Sequence, residues 1–446
     1  MAAPDVARAR RAGTAAFVGT TIEWYDFYVY ATAASLVFDK VFFPEADRLT
    51  AVAASFATFA VGFFARPLGG IVFGHIGDRM GRKSALVITL TMMGTATFLV
   101  GCLPGFSSIG TWAPVLLVLL RFIQGIAVGG EWGGAVLMAV EHAPADKRTF
   151  YGAFAQAGNP AGALLATGLF ALLTLNGNEF VESWGWRIPF FFSALLIVVG
   201  FVVRMRVEES PVFAEIAVQA DSAASASHAP LMIALRTNWR TILLGACVLP
   251  VAIGGYYLTT TFATAYATDP SVGVAEHTVL TALSVAAFVE LAVTLGAGWL
   301  ADKVGRIRVV MAGLAGVALL AAPQFLVFGW GSTFLIFVFI ILMRLAMTAT
   351  YGPIATVLAQ MFRPDARYTS ISLAYQLSGA VFGGLSPLVS TLLWKWTGSI
   401  WPVIGLLIGM CALSAWCLRR VPQYDDVESP EFDGSPAAAP DRANGR

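Results

Sequence analysis

The sequence predicts an all-α membrane protein of twelve transmembrane helices in two similar halves of six. Three observations lead to this prediction. Hydrophobic residues make up 57% of the 446 residues and charged residues 12%, whereas a soluble chain carries roughly 25% charged residues. Twelve apolar runs approach the ~20 residues that a helix needs to cross a bilayer. A charged, glycine-rich motif also occurs once in each half of the chain, which indicates an internal repeat.

The domain organisation follows from the longest polar stretch, 207–239, which separates six apolar runs from six. The predicted parts are a cytoplasmic N-terminus at 1–14, an N-terminal six-helix bundle at 15–206, a central cytoplasmic loop at 207–239, a C-terminal six-helix bundle at 240–419 and a disordered cytoplasmic tail at 420–446. The helices are predicted at 15–38, 51–75, 84–103, 112–140, 150–174, 186–206, 240–266, 278–301, 308–329, 332–361, 368–391 and 398–419.

Charged and helix-breaking residues interrupt the apolar runs of the first half. In the first run, Glu23 and Asp26 lie three residues apart, which predicts both carboxylates on one helical face. Arg121 lies in the fourth run, and the sequence Gly-Asn-Pro at 158–160 is expected to interrupt the fifth. An ionised side chain in the hydrocarbon is costly, so each buried charge is a candidate functional group.

The second half repeats this plan with different residues. Tyr256 and Tyr257 place polar groups in the seventh run, Glu290 lies in the eighth and Arg344 lies in the tenth. Glu290 and Arg344 are therefore further candidates for a buried functional charge.

The repeated motif reads Gly, three residues, Asp, a base, one residue, Gly and Arg, at 74–82 and at 298–306. Glycine permits backbone angles that other residues resist, so each copy is predicted to be a tight turn between helices. Asp78 can lie at the N-terminus of a neighbouring helix, where the dipole favours an anion, and Arg79 or Arg82 can pair with Glu141. The predicted cytoplasmic gate comprises Asp78, Arg79, Arg82, Glu141, Arg148, Asp302, Arg306 and Arg367.

Lys and Arg are distributed unequally between the two sides of the predicted membrane. Most of the 28 lie in loops on the side of the N-terminus, whereas Lys40, Arg48 and Lys395 lie on the opposite side. The positive-inside rule then places both termini in the cytoplasm. We expect a multi-pass protein of the cell membrane, the inner membrane of a bacterium.

Asp26 and Arg121 are predicted to meet near the middle of the bilayer. At 1.5 Å per residue, Asp26 lies ~17 Å from the cytoplasmic start of its run and Arg121 ~14 Å from the opposite face. These depths add up to about the ~30 Å hydrocarbon thickness. Protonation of Asp26 would free Arg121 for a new partner, which makes the pair a candidate proton switch. The alternative is a structural salt bridge, and Glu23 is either a second proton site or a structural partner.

Buried arginines are also candidate anchors for an anionic substrate, because a guanidinium group binds a carboxylate through two parallel hydrogen bonds. Arg344 is the first candidate, with pairing to Glu290 as its alternative role. Arg66 is the second, although Arg66-Pro67 could simply shape the end of its helix. Polar side chains that could line the same cavity, or bridge helices, are Gln156, Asn159, Tyr256, Tyr257, Tyr375 and Gln376.

Other classes of function find no support in the sequence. The four cysteines lie inside apolar runs and the four histidines lack metal-ligand spacing, so we expect neither a disulfide framework nor a metal site. A phosphate-binding loop, a nucleophile elbow and an HExxH motif are all missing. We therefore expect no enzymatic activity, no cofactor and no nucleic-acid partner. Glu131 could belong to a gate or to a proton exit.

The chain resembles the major facilitator superfamily over about residues 15–420. This likeness rests on the repeated motif, on Arg121 to Gly125 and on Glu141 to Arg148. More narrowly, the chain resembles the metabolite:proton symporter family, which includes carriers of shikimate, α-ketoglutarate, citrate and proline or glycine betaine. The narrower likeness rests on Glu23-Trp24-Tyr25-Asp26-Phe27, Phe42-Phe43-Pro44, Arg66-Pro67-Leu68-Gly69-Gly70, Gly129-Gly130-Glu131, Trp184-Gly185-Trp186-Arg187-Ile188-Pro189 and Glu209-Ser210-Pro211.

The resemblance implies two pseudo-symmetric six-helix bundles around a central cavity, with alternating access by a rocker-switch movement. In related sugar:proton carriers an Asp of the first helix and an Arg of the fourth form the proton site, which matches Asp26 and Arg121. The chain departs from the family pattern at Gln360, where an acidic gate partner is usual, so the gate of the C-terminal half is expected to be weaker.

The leading expectation is a symporter that imports a small organic acid, a mono- or dicarboxylate or a shikimate-like acid, driven by the proton gradient. The alternative is proton-coupled uptake of a zwitterionic osmolyte such as proline or glycine betaine, and a passive channel or exporter is a third class. The expected partners are the small-molecule substrate, the proton and the lipid bilayer, and the expected functional unit is a monomer.

Overall fold

The computed structural model describes residues 6–80, 82–129, 148–205, 230–362 and 367–422. These residues are almost entirely helical and include no strand. Each of the twelve predicted runs is helical over its described part, which confirms the all-α fold class. The long helices are α1 (Val6–Leu36), α2 (Arg48–Met80), α3 (Arg82–Cys102), α4 (Trp112–Val128), α5 (Arg148–Thr174), α6 (Arg187–Met205), α7 (Pro230–Val248, continued by Val251–Gly255, Leu258–Phe262 and Ala263–Ala267), α8 (Glu276–Val304), α9 (Arg306–Leu326), α10 (Thr333–Tyr351 and Ile354–Gln360), α11 (Arg367–Ser378, Gly379–Gly384 and Leu385–Thr397) and α12 (Trp401–Leu418).

The short connecting helices lie at the ends of these long helices. They are Phe38–Phe42, Phe106–Ile109, Asn178–Phe180, Val181–Gly185 and Val327–Trp330. Two long helices begin about ten residues earlier than the sequence predicts, α1 at Val6 instead of residue 15 and α7 at Pro230 instead of residue 240. The predicted cytoplasmic N-terminus and central loop are therefore partly helical.

Many helices are suited to lipid by length and by their exposed side chains. In the described part of the chain, eight helical segments are long and apolar enough to cross a membrane, or nine if the bent pair Asn178–Gly185 and Arg187–Val202 is one span. Large apolar side chains such as Leu172, Leu319 and Phe334 are exposed on the outside. Exposure of such side chains to water is unfavourable, whereas contact with lipid acyl chains is favourable.

The two halves, α1–α6 and α7–α12, pack against each other along matching helices. α5 lies along α8, α2 lies along α11 and α1 contacts α7. A single hydrophobic core continues from Trp24 and Phe27 in the first half to Tyr256 and Tyr257 in the second. The innermost side chains of both halves therefore face each other in the middle of the molecule.

Glycines allow α2 and α4 to approach closely, which explains two of the family-like motifs. A Cβ atom at Gly129 would lie 1.9 Å from the carbonyl oxygen of Arg66, and one at Gly125 would lie 2.1 Å from that of Gly62. Small residues at such contacts let helix backbones meet inside a membrane. The close approach brings Arg66 and Arg121, on adjacent helices, into one part of the bundle.

The repeated motif is mostly helix rather than turn, contrary to prediction. α2 continues to Met80, α3 begins at Arg82, and α8 continues through Asp302 to Val304. In the second copy the chain reverses at Gly305, whose φ of +106° suits glycine. The predicted interruption at 158–160 is also wrong, because α5 is continuous with Pro160 inside it.

Irregular helical turns occur in the middle of α7 and α11. π-helical segments at Val251–Gly255 and Leu258–Phe262 flank Tyr256 and Tyr257, and another spans Gly379–Gly384 in α11. Such segments are frequent at functional sites because the extra residue re-aims the side chains around it. These π-helical segments were not predicted from the sequence.

Candidate functional site

Six charged side chains are buried within the described membrane-spanning helices. Three are carboxylic acids and three are arginines, so the described interior is formally neutral when all are ionised. Each is at most 9% exposed. The six are Glu23, Asp26, Glu290, Arg66, Arg121 and Arg344. All six were predicted from the sequence. The Glu290–Arg344 pair is the alternative predicted for Arg344, whereas the predicted Asp26–Arg121 contact is not formed.

Asp26 and Arg121 lie in the same region of the N-terminal half but form no direct ion pair. Arg121 Nη1 donates a hydrogen bond to Gln124 Oε1 at 3.1 Å, and Gln124 Nε2 donates one to Thr97 Oγ1 at 2.7 Å. The Thr97 and Ser193 hydroxyls in turn lie beside the Asp26 carboxyl group. The predicted contact is therefore replaced by a row of polar groups, Arg121–Gln124–Thr97–Asp26, which we call the N-half relay. Its last step is proximity rather than a hydrogen bond, because the Thr97 hydroxyl donates to the carbonyl oxygen of Met93 at 3.0 Å.

Aromatic rings hold two of the arginines in place. The Arg121 guanidinium lies 4.2 Å from the ring centre of Tyr30 and 4.7 Å from that of Phe27. The Arg66 guanidinium lies 4.2 Å from Phe27 and 4.1 Å from Phe63. Cation–π contacts stabilise a guanidinium group that has left water, and they leave its in-plane N–H groups available.

Glu23 and Asp26 have different neighbours, although they lie on nearby parts of α1. Asp26 is directed into the N-terminal half, whereas Glu23 interacts electrostatically with Tyr351 and Tyr375 of the C-terminal half. Residues three apart on a helix are separated by about 60° around its axis, which is enough to divide them between two environments. The prediction of one shared face is therefore only partly correct.

Glu290 and Arg344 form a buried ion pair inside the C-terminal half. Arg344 Nη1 lies 3.5 Å from Glu290 Oε2, and the Arg344 guanidinium lies 3.9 Å from the ring centre of Tyr256. Neither Nη1 nor Oε2 makes a hydrogen bond in the described part of the chain. The contact is thus electrostatic, and neither atom has its hydrogen-bonding capacity satisfied.

Tyrosines connect the two halves next to this ion pair. Tyr28 Oη donates a 3.0 Å hydrogen bond to Asn159 Oδ1, and the Tyr28 ring lies 5.6 Å from that of Tyr256 and 6.2 Å from that of Tyr257. Gln376 Nε2 donates to the carbonyl oxygen of Gly129 at 3.2 Å. Three of the predicted cavity residues, Tyr256, Tyr257 and Gln376, therefore contact the N-terminal half. Tyr28, their aromatic partner there, was not predicted from the sequence.

Several buried polar atoms in this region have no hydrogen-bonding partner among the described residues. Gln156 is 1% exposed, and both its amide oxygen and its amide nitrogen lack a partner. Tyr257 Oη, Arg66 Nε and Gln376 Oε1 are in the same condition. Buried polar groups are normally satisfied, so a cluster of exceptions indicates a place that receives water or a ligand.

The predicted cytoplasmic gate is only partly covered by the structure. Asp302 accepts a 3.1 Å hydrogen bond from the backbone N–H of Phe150, in the first turn of α5. A C-terminal-half carboxylate thus binds the N-terminus of an N-terminal-half helix, a contact that the sequence analysis predicts for Asp78 in the first copy of the motif and not for Asp302. Arg306 begins α9. Glu131 and Glu141 lie outside the described residues, as do the side chains of Asp78, Arg79, Arg82, Arg148 and Arg367.

The opposite end of the molecule carries ion pairs that were not predicted. Lys395 Nζ binds Asp47 Oδ2 at 3.0 Å, and Arg48 Nε binds Asp269 Oδ2 at 3.0 Å. Each of these pairs joins the N-terminal half to the C-terminal half, and we call the two together the outer ion pairs. Lys40 pairs with Glu182 within the N-terminal half.

Hydrogen bonds from Thr50 and Lys395 lower the pKa of Asp47 to about 2. The Asp47 carboxylate is therefore ionised throughout the physiological pH range. Lys40, Arg48 and Lys395 are the cations of the three ion pairs at this end. They are also the three cations that the sequence analysis places on the outer side, so their position could have indicated these pairs.

Comparison with known proteins gives matches over nearly the whole chain. Residues 12–233 match a family model described as "Sugar (and other) transporter", and residues 270–442 match one described as "Major Facilitator Superfamily". The chain is 40% identical to the shikimate transporter of Escherichia coli K12 over 419 residues, 92% of this chain and 94% of that protein. It is 39% identical to the inner membrane metabolite transport protein YhjE of the same organism over 403 residues, 89% of this chain and 90% of that protein.

A second set of relatives is named for different substrates. The proline/betaine transporter of Salmonella typhimurium is 34% identical over 394 residues, 86% of this chain and 77% of that protein.

Among solved structures, a D-xylose–proton symporter aligns with a TM-score of 0.70 at 18% identity, covering 93% of this chain and 98% of that one. A partially occluded inward-open conformation of the xylose transporter XylE from E. coli gives 0.71 at 19% identity, covering 94% and 99%. These structures share the fold of the chain.

Proposed function

Because the chain belongs to the major facilitator superfamily and, within it, to the metabolite:proton symporters, we propose that it imports a small organic acid together with protons. The substrate is a mono- or dicarboxylate or a shikimate-like acid. Import proceeds by alternating access, with the two halves moving around the buried polar centre. The chain is a multi-pass membrane transporter and not an enzyme, and both termini are proposed to be cytoplasmic.

The observation that supports an anionic substrate is the set of unsatisfied guanidinium groups in the centre. Arg66 Nε, Arg121 Nε and Nη2, and Arg344 Nε and Nη1 are buried without a hydrogen-bond acceptor among the described residues. An anion supplies acceptors for such donors, and charge-assisted hydrogen bonds are the strongest of the ordinary kinds. Arg344 and Arg66 are the proposed anchors, with Gln156, Asn159, Tyr256, Tyr257, Tyr375 and Gln376 as the surrounding polar groups.

Charge balance gives a reason for proton coupling. The charges buried within the described membrane-spanning helices are three acids and three arginines, so a carboxylate bound among them would add one uncompensated negative charge. Burial of such a charge is expensive. A proton that binds to one of the acids restores neutrality, so anion and proton bind more favourably together than separately. Asp26 is the proposed proton site, with Arg121 acting on it through the N-half relay and Glu23 as a second candidate.

The aromatic side chains around the centre raise the alternative of a betaine-like substrate, since quaternary ammonium groups bind aromatic faces. The relatives that are named for proline and betaine support this alternative. However, Arg66 already lies against Phe27 and Phe63, and Arg344 lies against Tyr256. The protein's own cations occupy these ring faces, which favours the organic acid.

Uptake by liposomes that contain the purified protein tests the proposal. Shikimate, α-ketoglutarate, citrate, proline and glycine betaine are supplied in turn, with and without an inward pH gradient. We expect an organic acid to be concentrated inside only when the gradient is imposed. Accumulation of proline or betaine alone would support the osmolyte alternative, and equilibration without accumulation would indicate a channel.

A further inference from the structure

Glu290 and Arg344 form a titratable pair that the N-half relay does not include. Glu290 is 1% exposed and lies in the middle of α8, and Arg344 is 3% exposed on α10. Their contact is a single approach of 3.5 Å without hydrogen-bond geometry. A well-formed carboxylate–guanidinium pair has two parallel hydrogen bonds of about 2.7–2.9 Å, so this pair is loosely engaged.

We propose that Glu290 is a proton acceptor that is coupled directly to the substrate through exchange of partners on Arg344. In the empty transporter Arg344 neutralises Glu290. A substrate carboxylate then takes the Arg344 guanidinium, and Glu290, left without its counter-ion, takes up a proton. This inference rests on the proposed import of an organic acid and assigns to Glu290 a role in it.

The exchange follows from the cost of an isolated buried charge. A carboxylate without a partner in a low-dielectric interior becomes neutral by binding a proton rather than staying ionised. The new O–H bond forms on Glu290 with a proton from water, and the substrate keeps its own negative charge next to Arg344. Before and after the exchange, the pair and its ligands carry the same total charge.

The groups that face Glu290 leave Arg344 as its charged partner. From α7, Tyr256 lies within reach of both Glu290 and Arg344, and Tyr28 of α1 also interacts with Arg344. On α9, which packs beside α8, the described cations Arg306 and Arg308 belong to the first turn at the end of the bundle. Among described side chains, the part of α5 that packs on α8 carries no charge.

The position of Tyr256 gives the exchange a route to the other half. Its ring contacts the Arg344 guanidinium on one side and the Tyr28 ring on the other, and Tyr28 is hydrogen-bonded to Asn159 of α5. π-helical turns on both sides of Tyr256 place it there. Movement of Arg344 towards a substrate therefore changes a contact between the two halves.

Infrared spectroscopy of the purified protein tests the charge of Glu290 without any substrate. Arg344→Gln removes the counter-ion, as a substrate would, and we expect the stretching band of a protonated carboxyl group to appear at neutral pH. The band should be missing from the double variant Glu290→Gln/Arg344→Gln and from Arg344→Lys, which keeps the positive charge. Identical spectra for Arg344→Gln and the double variant would overturn the proposal.

A second measurement follows protons during binding, with shikimate and α-ketoglutarate as probes added to weakly buffered protein. We expect the wild type and the same-helix control Glu276→Gln to take up a proton on binding. Their affinity for the acid should fall roughly tenfold for each unit by which the pH rises, wherever one proton is linked to binding. In Glu290→Gln the uptake should fall by one proton per bound substrate relative to the Glu276→Gln control, with a correspondingly weaker pH dependence. Uptake equal to that of the control would refute the role of Glu290. Failure of the wild type to bind either acid would count against the substrate class, while the infrared result decides the role of Glu290 separately.

Discussion

Asp26 lies at one end of the N-half relay, and the Arg121 guanidinium lies at the other. The intervening Gln124 and Thr97 matter because an amide and a hydroxyl can each donate and accept hydrogen bonds. We expect a change of protonation at Asp26 to reorient both groups and so to reach Arg121 without a direct contact. A direct salt bridge would have had to break for the same effect.

Asp26→Asn tests the proposed proton site. The amide cannot be ionised, so we expect accumulation driven by a pH gradient to fall at least ~10-fold, as for the loss of roughly 1.4 kcal/mol of coupling. Exchange of labelled for unlabelled substrate should continue, because it requires no net proton movement. Glu23→Gln is the matched comparison on the same helix. Unchanged accumulation by Asp26→Asn would exclude Asp26 as the proton site.

Gly62→Ala tests the position of Arg121. A Cβ atom at this residue would lie 2.6 Å from Arg121 Nε, so the guanidinium must shift, and we expect its hydrogen bond to Gln124 to be disturbed. We expect proton-driven accumulation to fall by roughly tenfold, since a hydrogen bond to a charged group contributes about 1.5–3 kcal/mol. Gly296→Ala is the control, because a Cβ atom there meets nothing within 4 Å. Equal accumulation by the two variants would contradict the relay.

At the scale of helices, the structure joins the two halves at both ends. The outer ion pairs connect the beginning of α2 with the Asp269 loop and with the end of α11, while Asp302 at the C-terminal end of α8 binds the first turn of α5. Alternating access requires one set of contacts to break while the other holds. The outer ion pairs are therefore expected to stabilise conformations that are closed to the outside.

Asp269→Asn tests this role of the outer ion pairs. Spin labels at Glu179 and Thr397, which are exposed on opposite halves, report the opening of the outer end once the four native cysteines are replaced. An ion pair of about 1 kcal/mol shifts a two-state equilibrium about fivefold, so the open population should rise by that factor. Glu182→Gln, which breaks a pair inside one half, should leave the distances unchanged. No difference between the variants would refute the assignment.

The Asp47–Lys395 pair also has a defined response to solution conditions. Because the pKa of Asp47 is lowered from 3.8 to about 2, the stabilisation is present above 3.8 and is lost only as the pH falls through about 2. We expect the same spin-label distances across the physiological pH range. Added salt should widen these distances, because it shortens the Debye length, which is about 8 Å at ~0.15 M ionic strength, and so weakens exposed ion pairs. Opening between neutral and mildly acidic pH would contradict this expectation.

At the scale of the whole molecule, the orientation in the membrane remains a prediction from the charge distribution. Two contacts are consistent with it: Lys303 lies 3.9 Å from the Trp299 ring, and the Arg420 guanidinium lies 3.9 Å from that of Trp416. Both pairs lie at the end that is predicted to be cytoplasmic. Tryptophan with a neighbouring cation is typical of the membrane–water boundary.

Reporter fusions test the orientation in a bacterial cell. A fluorescent protein after Arg446 should fold and fluoresce in the cytoplasm, whereas alkaline phosphatase at that position should be inactive. Alkaline phosphatase inserted at Gly273, in the loop between α7 and α8, should be active. The reverse pattern would show that the positive-inside rule fails for this chain.

The number and order of the helices could be predicted from the sequence, because a membrane-spanning helix satisfies its own backbone and requires only a local apolar run. The six buried charged residues could be predicted for a related reason, because each is a charged residue inside an otherwise apolar run. The partners of those charges depended on the tertiary structure. Thr97 and Gln124 come from α3 and α4, and Tyr256 reaches Arg344 through irregular turns in α7. Which side chains meet depends on how distant helices rotate and pack, and no short stretch of sequence contains that information.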